Sequence, residues 1–563
     1  MLHSNDAPHA RPAPASSSRS AVLRSAVALG AAALLIGAGT AASAHGSPKG
    51  ADPEDQALRF DPDGYTTLTV AVDGEPTTVR WYKELCYVAE PVLMSEDQVR
   101  FGQPITIDNP GCGYQSMNVY VPEAAFADED AALYLAVNNA GWFASYVRTS
   151  VTDGAAYDTS TSNIGAALAE GYVVIDVGTR SREVVGADGS WPGKSPAPVV
   201  DAKAAVRYLR LNDAAMPGSA ERIVVNGTSG GGGLSAILGA SGNSRDYLPY
   251  LAEIGAAGID AKGRSTLRDD VLAINAYCPI TDLGNADIAY EWLYSILGTR
   301  AATGQDPFPE TTEALAAEFA AYERSLRLRN PDGTRLTADT MLEALHGEVA
   351  GSAVAFMQGG GVIEGYGWIT VDNAADTVTS IDLASYLEYV VTQTTLKPAP
   401  SFDQSGTPAP GTLGGPGQGE SSLFGTSDMA YSNFTAFSWN TNEVLGDGTG
   451  LDDTGLTWSR YVRKPGTIVD DQVRLLDPME YIGTSADTAP YWYVRHGALD
   501  RDTAFTVSIN LDRALEADRS VEDVDYRLAW NTKHAGNYDV PEAMAWIAEV
   551  LADADGASHH RRR

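Results

Sequence analysis

Short apolar runs that recur along the chain constrain its fold more than any other feature. They read ALYLAVNNAG (132–141), GYVVIDVG (171–178), ERIVVNG (221–227), LAINAYC (272–278), APYWYVRHG (489–497) and VDYRLAWN (524–531). Strands that are apolar at consecutive positions are typical of a parallel sheet buried on both faces. Helical stretches such as PVVDAKAAVRYLRLND and PEAMAWIAEVLADA separate or follow these runs. The sequence therefore predicts an open α/β sheet with right-handed crossovers.

The length and the strand–helix rhythm predict more than one structural unit. With 563 residues the chain exceeds the size at which a single core stops growing, about 250 to 300 residues. The alternation occupies residues 131–281 and 471–563, which we interpret as one α/β domain. Residues 282–470 interrupt the alternation and predict an inserted domain. Residues 45–130 contain alternating segments such as YTTLTVAVDGEPTTVRWYKEL, which predict a β-rich N-terminal extension.

Residues 1–44 have the pattern of a secretory signal peptide. Arginines precede the apolar stretch SAVALGAAALLIGAGTAASA, which ends in the small residues Ala42-Ser43-Ala44. A basic flank, a short apolar segment and small residues before the cleavage point define such signals. A membrane anchor is the competing interpretation, but a stretch rich in Ala and Gly is a poor permanent span. We therefore expect a secreted, extracellular protein with no stable membrane anchor.

Charge and composition argue against several classes of function. The formal net charge is −34 at pH 7, so no basic surface for nucleic acid is expected. With only three cysteines and eight histidines, the chain is not expected to bind a metal. Cys86 and Cys112 can pair in an oxidising compartment, with Cys278 as a buried apolar residue, or all of them can be free thiols. Their spacing does not decide between these alternatives.

The segment VVNGTSGGGGLSAILGASG (224–242) places Ser229 in a glycine-rich turn between an apolar strand and a helix. The letters GTSGG around this serine match the G-x-S-x-G nucleophile elbow, whose glycines allow the strained turn that exposes the hydroxyl. The same glycines, together with Ala236, also match the loose dinucleotide-binding pattern G-x-G-x-x-A. A triphosphate-binding loop is excluded because no Lys-Ser or Lys-Thr closes the turn. A nucleophile elbow also needs a histidine and a carboxylate elsewhere in the chain, and their presence would favour it over a dinucleotide-binding turn.

The chain offers both partners at the positions that a nucleophile elbow requires. In this arrangement the acid follows one strand and the histidine follows the next, in the order serine, acid, histidine. His534 follows the last predicted strand in LAWNTKHAGNYD and precedes the closing helix. Asp500 in YVRHGALDRD lies nearer to the preceding strand than Asp502, while His496 is assigned to that strand or its edge. The sequence thus predicts that Ser229, Asp500 and His534 form a triad.

Backbone amides after the serine and in an early loop are expected to bind a developing oxyanion. The Gly230 amide directly follows the nucleophile, the usual position of the first donor. The loop VNNAGWFAS (137–145) follows the first strand of the α/β domain, and Gly141 or Trp142 is the candidate second donor. Such a site favours ester hydrolysis through an acyl-enzyme.

Longer blocks of the sequence resemble the bacterial tannases of subtype B, the tannin acyl hydrolases. The blocks are GKSPAPVVDAKAAVRYLRLND, GTSGGGGLSAILGASGNSRDYLPYL, YCPITDLGNADIAYEW, KPAPSFD and HAGNYD, within residues 134–551. The resemblance implies an α/β-hydrolase fold with a large inserted lid domain, and the family's triad falls on the three residues chosen above. It implies a secreted serine esterase that cleaves galloyl esters of hydrolysable tannins, with depside bonds as a further candidate. No cofactor is required by this chemistry.

The resemblance also implies which residues hold the galloyl ring of a small phenolic ester substrate. Lys397 at the start of KPAPSFD, Glu420 in GESSLFG and Asp502 look like the family's lysine, glutamate and aspartate beside the triad. Phenolic hydroxyls can share hydrogen bonds with carboxylates and with an ammonium group. Without the resemblance, we would interpret Lys397 as a solvated loop residue.

The sequence departs from the family pattern in the region of the expected pocket. The span from Lys397 to Glu420 is longer and resembles an inserted loop at residues 406–418, and AGW at 140–142 replaces the family's GGY. A feruloyl esterase or general carboxylesterase with the same triad therefore stays open as an alternative. A dinucleotide-binding oxidoreductase and a polyphenol-binding protein with an inactive triad are the alternatives from other classes.

Overall fold

Parallel strands at the centre of one large sheet carry the helices on both faces. The computed structural model describes residues 53–100, 103–260, 262–404, 419–445 and 450–561. The strands are β1 Thr66–Val72, β2 Glu75–Cys86, β3 Asp97–Arg100, β4 Gln103–Thr106, β5 Ser116–Pro122, β6 Leu133–Val137, β7 Ala156–Tyr157, β8 Val173–Val177, β9 Ile223–Thr228, β10 Ala273–Tyr277, β11 Ile369–Asp372, β12 Thr377–Ile381, β13 Tyr491–Gly497 and β14 Asp523–Ala529.

The helices vary from single turns to long closing helices. They are α1 Pro53–Ala57, α2 Asn163–Ala169, α3 Ala197–Asn212, α4 Gly230–Ala240, α5 Leu248–Glu253, α6 Leu283–Ile296, α7 Thr299–Thr303, α8 Pro309–Ala316, α9 Phe319–Leu326, α10 Met341–Gln358, α11 Leu383–Gln393, α12 Ala436–Leu445, α13 Trp458–Tyr461, α14 Val469–Arg474, α15 Phe505–Ala517 and α16 Val540–Arg561. Short 3₁₀ turns occur at Glu123–Ala125, Ala140–Trp142, Arg245–Tyr247, Glu420–Leu423, Leu451–Thr454 and Pro478–Glu480.

The large sheet has ten strands in the order β14-β13-β10-β9-β6-β8-β5-β2-β1-β7. The strands from β14 to β8 pair in parallel, whereas β8, β5, β2 and β1 pair in antiparallel fashion. Every residue of β6, β8, β10 and β13 is buried. The predicted mostly parallel sheet, flanked by helices, is therefore confirmed. Its central strands are apolar at consecutive positions because both faces of the sheet are buried.

The N-terminal strands continue this sheet rather than forming one of their own. β2 pairs with both β1 and β5, and β5 pairs with β8 of the parallel part. Between β10 and β13 the chain forms helices and the small antiparallel sheet of β11 and β12, and α10 from this region packs against β14. Contacts group residues 51–563 in one compact unit, so the boundaries expected at 45, 131, 282 and 471 stay predictions.

Two expectations fall on parts of the chain that are not described. The signal peptide at 1–44 and the inserted loop at 406–418 lie outside the described residues. Within the residues that are described, no helix has the length and apolar character needed to cross a membrane.

The cysteines divide into one pair and one buried thiol. Cys86 at the end of β2 and Cys112 form a disulfide with a Cα–Cα distance of 6.0 Å, and Cys278 is a buried free cysteine. Because β2 and β5 are hydrogen-bonded neighbours, Cys86 lies opposite Ser116, close in the chain to Cys112. Strand pairing thus brings together two cysteines whose spacing alone did not predict a bond.

Buried ion pairs tie α3 to the loop that precedes β10. Lys203 Nζ lies 2.8 Å and Arg207 Nη1 lies 3.1 Å from the two carboxylate oxygens of Asp269, and all of these side chains are at most 2% exposed. Burial alone would raise the pKa of Asp269, but the charges of Lys203 and Arg207 outweigh it, so the pKa lies below 3.8. Both cations therefore depend on this one carboxylate.

Replacement of Asp269 by Ala is expected to destabilise the protein strongly. Removing one partner of a buried ion pair leaves uncompensated charge in the interior, at a cost of about 3 to 5 kcal/mol. Chemical denaturation checks this, with Arg264→Ala as a control because Arg264 pairs with Asp260 at the surface with 71% of its side chain exposed. Because the pKa of Asp269 is lowered, its contribution is present above pH 3.8 and is lost only in stronger acid. Equal effects of the two variants would contradict the assignment.

Candidate active site

Ser229 sits at the sharp turn from β9 into α4. Its backbone has φ 62° and ψ −125°, a conformation that L-residues rarely adopt. A strained strand-to-helix turn of this kind exposes the serine hydroxyl above the carboxyl end of a parallel sheet. The GTSGG segment therefore has the backbone geometry expected of a nucleophile elbow.

The glycines of this turn make room for neighbouring backbone. A Cβ atom on Gly230 would lie 2.2 Å from the amide nitrogen of Trp142, and one on Gly227 would lie 2.2 Å from the carbonyl oxygen of Gly231. The glycines of a dinucleotide site instead leave space for a pyrophosphate. Here the protein itself fills that space, so the dinucleotide-binding alternative is not supported.

His534 joins the serine to the acid. Its Nε2 lies 2.8 Å from Ser229 Oγ, and its Nδ1 lies 2.7 Å from Asp500 Oδ2. Asp500 is fully buried, whereas the His534 side chain is 23% exposed. The structure thus brings the three predicted residues together in the serine–histidine–acid order, with each distance in hydrogen-bonding range.

Backbone contacts hold the acid and the histidine loops against each other. The Leu499 N–H donates to the Thr532 carbonyl over 2.8 Å, and the Asp500 N–H donates to the Gly497 carbonyl over 2.9 Å. A Cβ atom on Gly497 would lie 2.4 Å from the Thr532 carbonyl oxygen, so only glycine allows this approach. The distance from Asp500 to His534 is therefore set by main chain as well as by the side chains.

The charges of the site favour an ionised acid and a basic imidazole. Burial alone would raise the pKa of Asp500, but hydrogen bonds from His496 and His534 outweigh it and lower the pKa well below 3.8. Burial alone would lower the pKa of His534, but the hydrogen bond and the charge of Asp500 raise it above 6.5. Asp502 adds to this rise and Lys397 opposes it.

Two buried side chains beside Asp500 were not predicted from the sequence as part of the site. His496, in β13, places its Nε2 3.3 Å from Asp500 Oδ2, and Cys278, which follows β10, donates through its thiol to the Ala535 carbonyl over 3.2 Å. The ligand atoms of Cys278, Asp500 and His534 form the one cluster of this type in the described chain. The hydrogen bond between His534 Nδ1 and Asp500 Oδ2 uses two of the atoms that a metal would need, and burial raises the pKa of the Cys278 thiol well above 9.0.

The structure distinguishes between Gly141 and Trp142, the two candidates for the second oxyanion donor. Trp142 N–H donates to the Asn139 carbonyl over 2.8 Å within the Ala140–Trp142 turn, so it is not available to a ligand. Gly141 has φ 59° in the same turn, which reorients the backbone beside the elbow. Gly230 begins α4, where amides have no intrahelical acceptor. The geometry therefore favours Gly230 and Gly141, and the expectation for the Trp142 amide is wrong.

Lys397 and Asp502 meet beside the histidine. Lys397 Nζ donates to the Asp502 carbonyl over 2.9 Å and lies 4.1 Å from the centre of the Phe402 ring. The Asp502 N–H donates to Asp500 Oδ1 over 2.7 Å, and its own Oδ2 lies 3.9 Å from His534 Nδ1. An ammonium and a carboxylate thus flank the same imidazole.

Glu420 reaches the site from the far end of the inserted loop. The Glu420 N–H donates to the Phe402 carbonyl over 3.2 Å, so the described residues on either side of 405–418 lie next to each other. Arg182 donates to the Gly419 carbonyl, and the turn that begins at Glu420 packs against the Ala140–Trp142 turn. Glu420 is buried, with 7% of the residue exposed.

The segment after Lys397 is held by a buried carboxylate of α6. Asp287 accepts hydrogen bonds from the consecutive amides of Ser401, Phe402 and Asp403 at 2.5 to 2.9 Å. Burial raises the pKa of Asp287 to about 6, and the negative charge of Glu420 adds to this rise. The lysine-bearing segment and Glu420 are therefore positioned by one polar framework.

Opposite effects on the titration of His534 are expected from its two charged neighbours. Asp502→Asn removes a negative charge and lowers the pKa of His534, whereas Lys397→Met removes a positive charge and raises it. The pH dependence of the imidazole ¹⁵N chemical shifts measures both, with His534→Gln to assign the signal. Shifts in the same direction in both variants would contradict the placement of these charges.

The chain is similar to known proteins over most of its length. The family model BD-FAE matches residues 117–291. The crystal structure of Fusobacterium nucleatum tannase has 30% sequence identity and a TM-score of 0.69, with 88% of this chain and 99% of that chain covered. The tannin acyl hydrolase from Lactobacillus plantarum, and a tannin acyl hydrolase in complex with ethyl gallate, each have 29% identity, the same coverage and a TM-score of 0.69. No curated protein matches at the level of sequence. The chain therefore belongs to the tannase family and is a carboxylic ester hydrolase with an α/β-hydrolase fold and a lid.

Proposed function

We propose that the protein hydrolyses galloyl esters through an acyl-enzyme on Ser229. The observation that carries the proposal is the position of His534, which is hydrogen-bonded to both Ser229 and Asp500 and is flanked by Lys397 and Asp502. A nucleophile, a base and polar groups suited to a phenolic ring thus converge in one place. The ethyl gallate bound to a related tannin acyl hydrolase supports the same class of substrate.

The proposed reaction has two stages that share one histidine. His534 Nε2 takes the proton of Ser229 Oγ as the oxygen attacks the ester carbonyl, and Asp500 supports the imidazolium that forms. The amides of Gly230 and Gly141 receive the oxyanion. His534 then gives its proton to the departing alcohol, which leaves the acyl group on Ser229.

Water completes the second stage. A water molecule gives a proton to His534 and attacks the acyl-enzyme, the bond to Ser229 Oγ breaks, and the proton returns to that oxygen. The products are the alcohol and the free acid, here gallate. An imidazole that is neutral is needed at the start of each stage, so activity falls as pH drops through the raised pKa of His534.

We assign the recognition of the galloyl ring to Lys397, Glu420 and Asp502. The ammonium is a donor and the two carboxylates are acceptors, which matches three adjacent phenolic hydroxyls. Glu420 is nearly buried, so a substrate hydroxyl that binds to it gains a charge-assisted hydrogen bond away from water. An ester that lacks these hydroxyls leaves the same groups unpaired.

The proposed location of the enzyme is extracellular. Residues 1–44 carry the signal pattern described above, although they lie outside the described residues. The Cys86–Cys112 disulfide fits an oxidising compartment, where such bonds persist. Export is tested by N-terminal sequencing of protein from the culture medium, where His45 is the expected first residue.

A series of methyl esters tests the acyl preference. Methyl gallate is expected to turn over faster than methyl protocatechuate, and methyl ferulate slowest, because each missing hydroxyl leaves a polar group of the pocket unpaired. Ser229→Ala is expected to abolish turnover of all three, as measured by release of the acid on liquid chromatography. Preference for ferulate, or equal rates, would favour a feruloyl or general carboxylesterase. Galloyl ester binding without turnover would favour a polyphenol-binding protein.

Loss of single pocket groups is expected to affect gallate more than a small ester. Glu420→Gln should lower kcat/KM for methyl gallate about ten- to hundredfold, the range for a hydrogen bond to a charged group. The value for 4-nitrophenyl acetate should change far less, since that ester has no ring hydroxyls in its acyl group. Glu343→Gln, at an exposed position of α10, is the matched control. Equal losses for both esters would remove Glu420 from galloyl recognition.

A further inference from the structure

A second histidine contacts the acid of the proposed triad. His496 is fully buried in β13, and its Nε2 lies 3.3 Å from Asp500 Oδ2. His534 Nδ1 lies 2.7 Å from the same oxygen, while Asp500 Oδ1 accepts the Asp502 N–H. Both histidines therefore converge on one carboxylate oxygen.

The far side of His496 is tied to α15 and β14. Its Nδ1 lies 2.7 Å from Ser508 Oγ, which in turn lies 3.0 Å from the Phe505 carbonyl and 3.1 Å from the Tyr526 hydroxyl. The Phe505 ring packs against the imidazole at a centroid distance of 5.1 Å. These contacts fix the plane of the His496 ring and so the direction of its Nε2.

The hydrogen-bond chemistry of this chain defines the proton on His496. If Ser508 donates to Nδ1, the neutral ring carries its proton on Nε2, which faces Asp500. If Ser508 instead donates to the Phe505 carbonyl, Nδ1 must donate to Ser508, and only a doubly protonated ring still gives Asp500 a donor. A bare Nε2 lone pair facing a buried carboxylate is repulsive. Both favourable arrangements therefore have a proton on Nε2. Nε2 makes no regular hydrogen bond to any described residue, so its contact with Asp500 Oδ2 at 3.3 Å is the polar interaction open to this N–H.

Asp502 and Lys397 bring charge to the side of His534, and Arg501 pairs with Asp502, whereas the buried tyrosines and the thiol around His496 and Asp500 bring no charge near neutral pH. These uncharged groups are Tyr526 on β14, Tyr294 on α6, Tyr386 on α11 and Cys278 after β10. Burial is the main cause that raises the pKa of each of these groups. Asp500, His496 and His534 are therefore the members of this group whose proton positions decide the behaviour of the site.

We propose that His496 is a positioning residue of the site, whose Nε2–H makes a long polar contact of 3.3 Å with Asp500 Oδ2 and steadies that oxygen for His534. The proposal rests on the proposed function, because it assigns His496 a role through the Ser229–Asp500–His534 triad. His496 does not touch the reacting atoms. It acts by sharing the negative charge of the oxygen to which His534 is bound.

If His496 shares the negative charge of Asp500 Oδ2, its loss changes both kcat and the pH dependence of activity. A purely structural role of His496 would not change the pH dependence. Without the His496 donor, Asp500 Oδ2 is freer to move, so His534 is oriented less well and kcat falls. The negative charge of Asp500 Oδ2 then acts more strongly on His534 and stabilises its imidazolium form. This raises the pKa of His534 and moves the acidic limb of the pH–activity profile to higher pH. Substrate binding does not involve His496, so KM stays nearly constant.

Three variants test this role. His496→Leu removes the donor, His496→Gln returns an N–H donor on a side chain of similar reach, and His346→Gln changes an exposed histidine of α10 as the matched control. We expect His496→Leu to lower kcat for 4-nitrophenyl acetate on the order of tenfold, the effect of losing one polar contact with a charged group. The acidic limb of the pH–activity profile of His496→Leu should move to higher pH. His496→Gln should recover most of the wild-type kcat. The His346 control should match the wild type in both.

Folding is checked in the same samples so that a loss of structure is not mistaken for a loss of positioning. Titration of Ser229 with a sulfonyl fluoride counts the competent sites, and kcat is expressed per site. If His496→Leu does not fold, Ser508→Ala takes its place, because it removes the group that fixes the His496 ring, and a smaller loss with the same direction of the limb is expected. Wild-type kcat per site and an unmoved limb in the folded variant would overturn the proposal.

Failure of the proposed function is recognised separately. If the wild type cleaves 4-nitrophenyl acetate but not methyl gallate, the galloyl assignment fails and the His496 test proceeds unchanged. If Ser229→Ala keeps turnover of 4-nitrophenyl acetate, the triad fails, and the role of His496 is overturned with it.

Discussion

Close packing of main chain around the Ser229 turn is the constraint on which the site depends. The turn is covered by the segment that leads into the Ala140–Trp142 turn, and Gly230 is where the two backbones meet. A second contact of this kind, at Gly497, joins the acid loop to the histidine loop. Because neither contact has room for a Cβ atom, the relative positions of the backbones at Ser229, Asp500 and Gly230 follow from main-chain packing and hardly depend on side-chain rotamers.

The acidic composition of the chain serves its interior as well as its surface. Asp287 accepts hydrogen bonds from three consecutive backbone amides, and Asp403 accepts them from the backbone amides of Phe434 and Thr435 and from the side-chain amide of Asn433. Burial raises the pKa of both carboxyls, to about 6 and about 7 respectively. These groups organise irregular segments that have few regular hydrogen bonds of their own. Buried acidic residues therefore help to build the region between β10 and β13.

The sequence predicted those features that depend on order along the chain. Consecutive apolar residues identified the parallel strands, and the order serine, acid, histidine singled out Ser229, Asp500 and His534 because each follows a different strand. Contacts that depend on three-dimensional neighbours were not predictable in this way. His496 meets Ser508 only because α15 packs beside β13, and the Trp142 amide is occupied only because its loop closes into a 3₁₀ turn.

Residue types alone also did not identify the residues of the pocket. Lys397 is an ordinary loop lysine until the fold brings it to the carbonyl of Asp502, far away in the chain, and only the resemblance pointed to it. The Cys86–Cys112 bond likewise depends on the pairing of β2 with β5. In both cases the missing information was which distant segments become neighbours.

The order of strands in the sheet has a consequence for how the enzyme matures. β10 and β13 are neighbours, yet the whole of residues 282–470 is made between them, and β14 with the His534 loop comes last. Pairing of strands so distant in sequence is slow to form, because a long loop must close first. A growing chain therefore contains the Ser229 turn long before it contains Asp500 and His534. Under the proposed mechanism, a chain that ends before His534 lacks the base and is not expected to hydrolyse esters through Ser229.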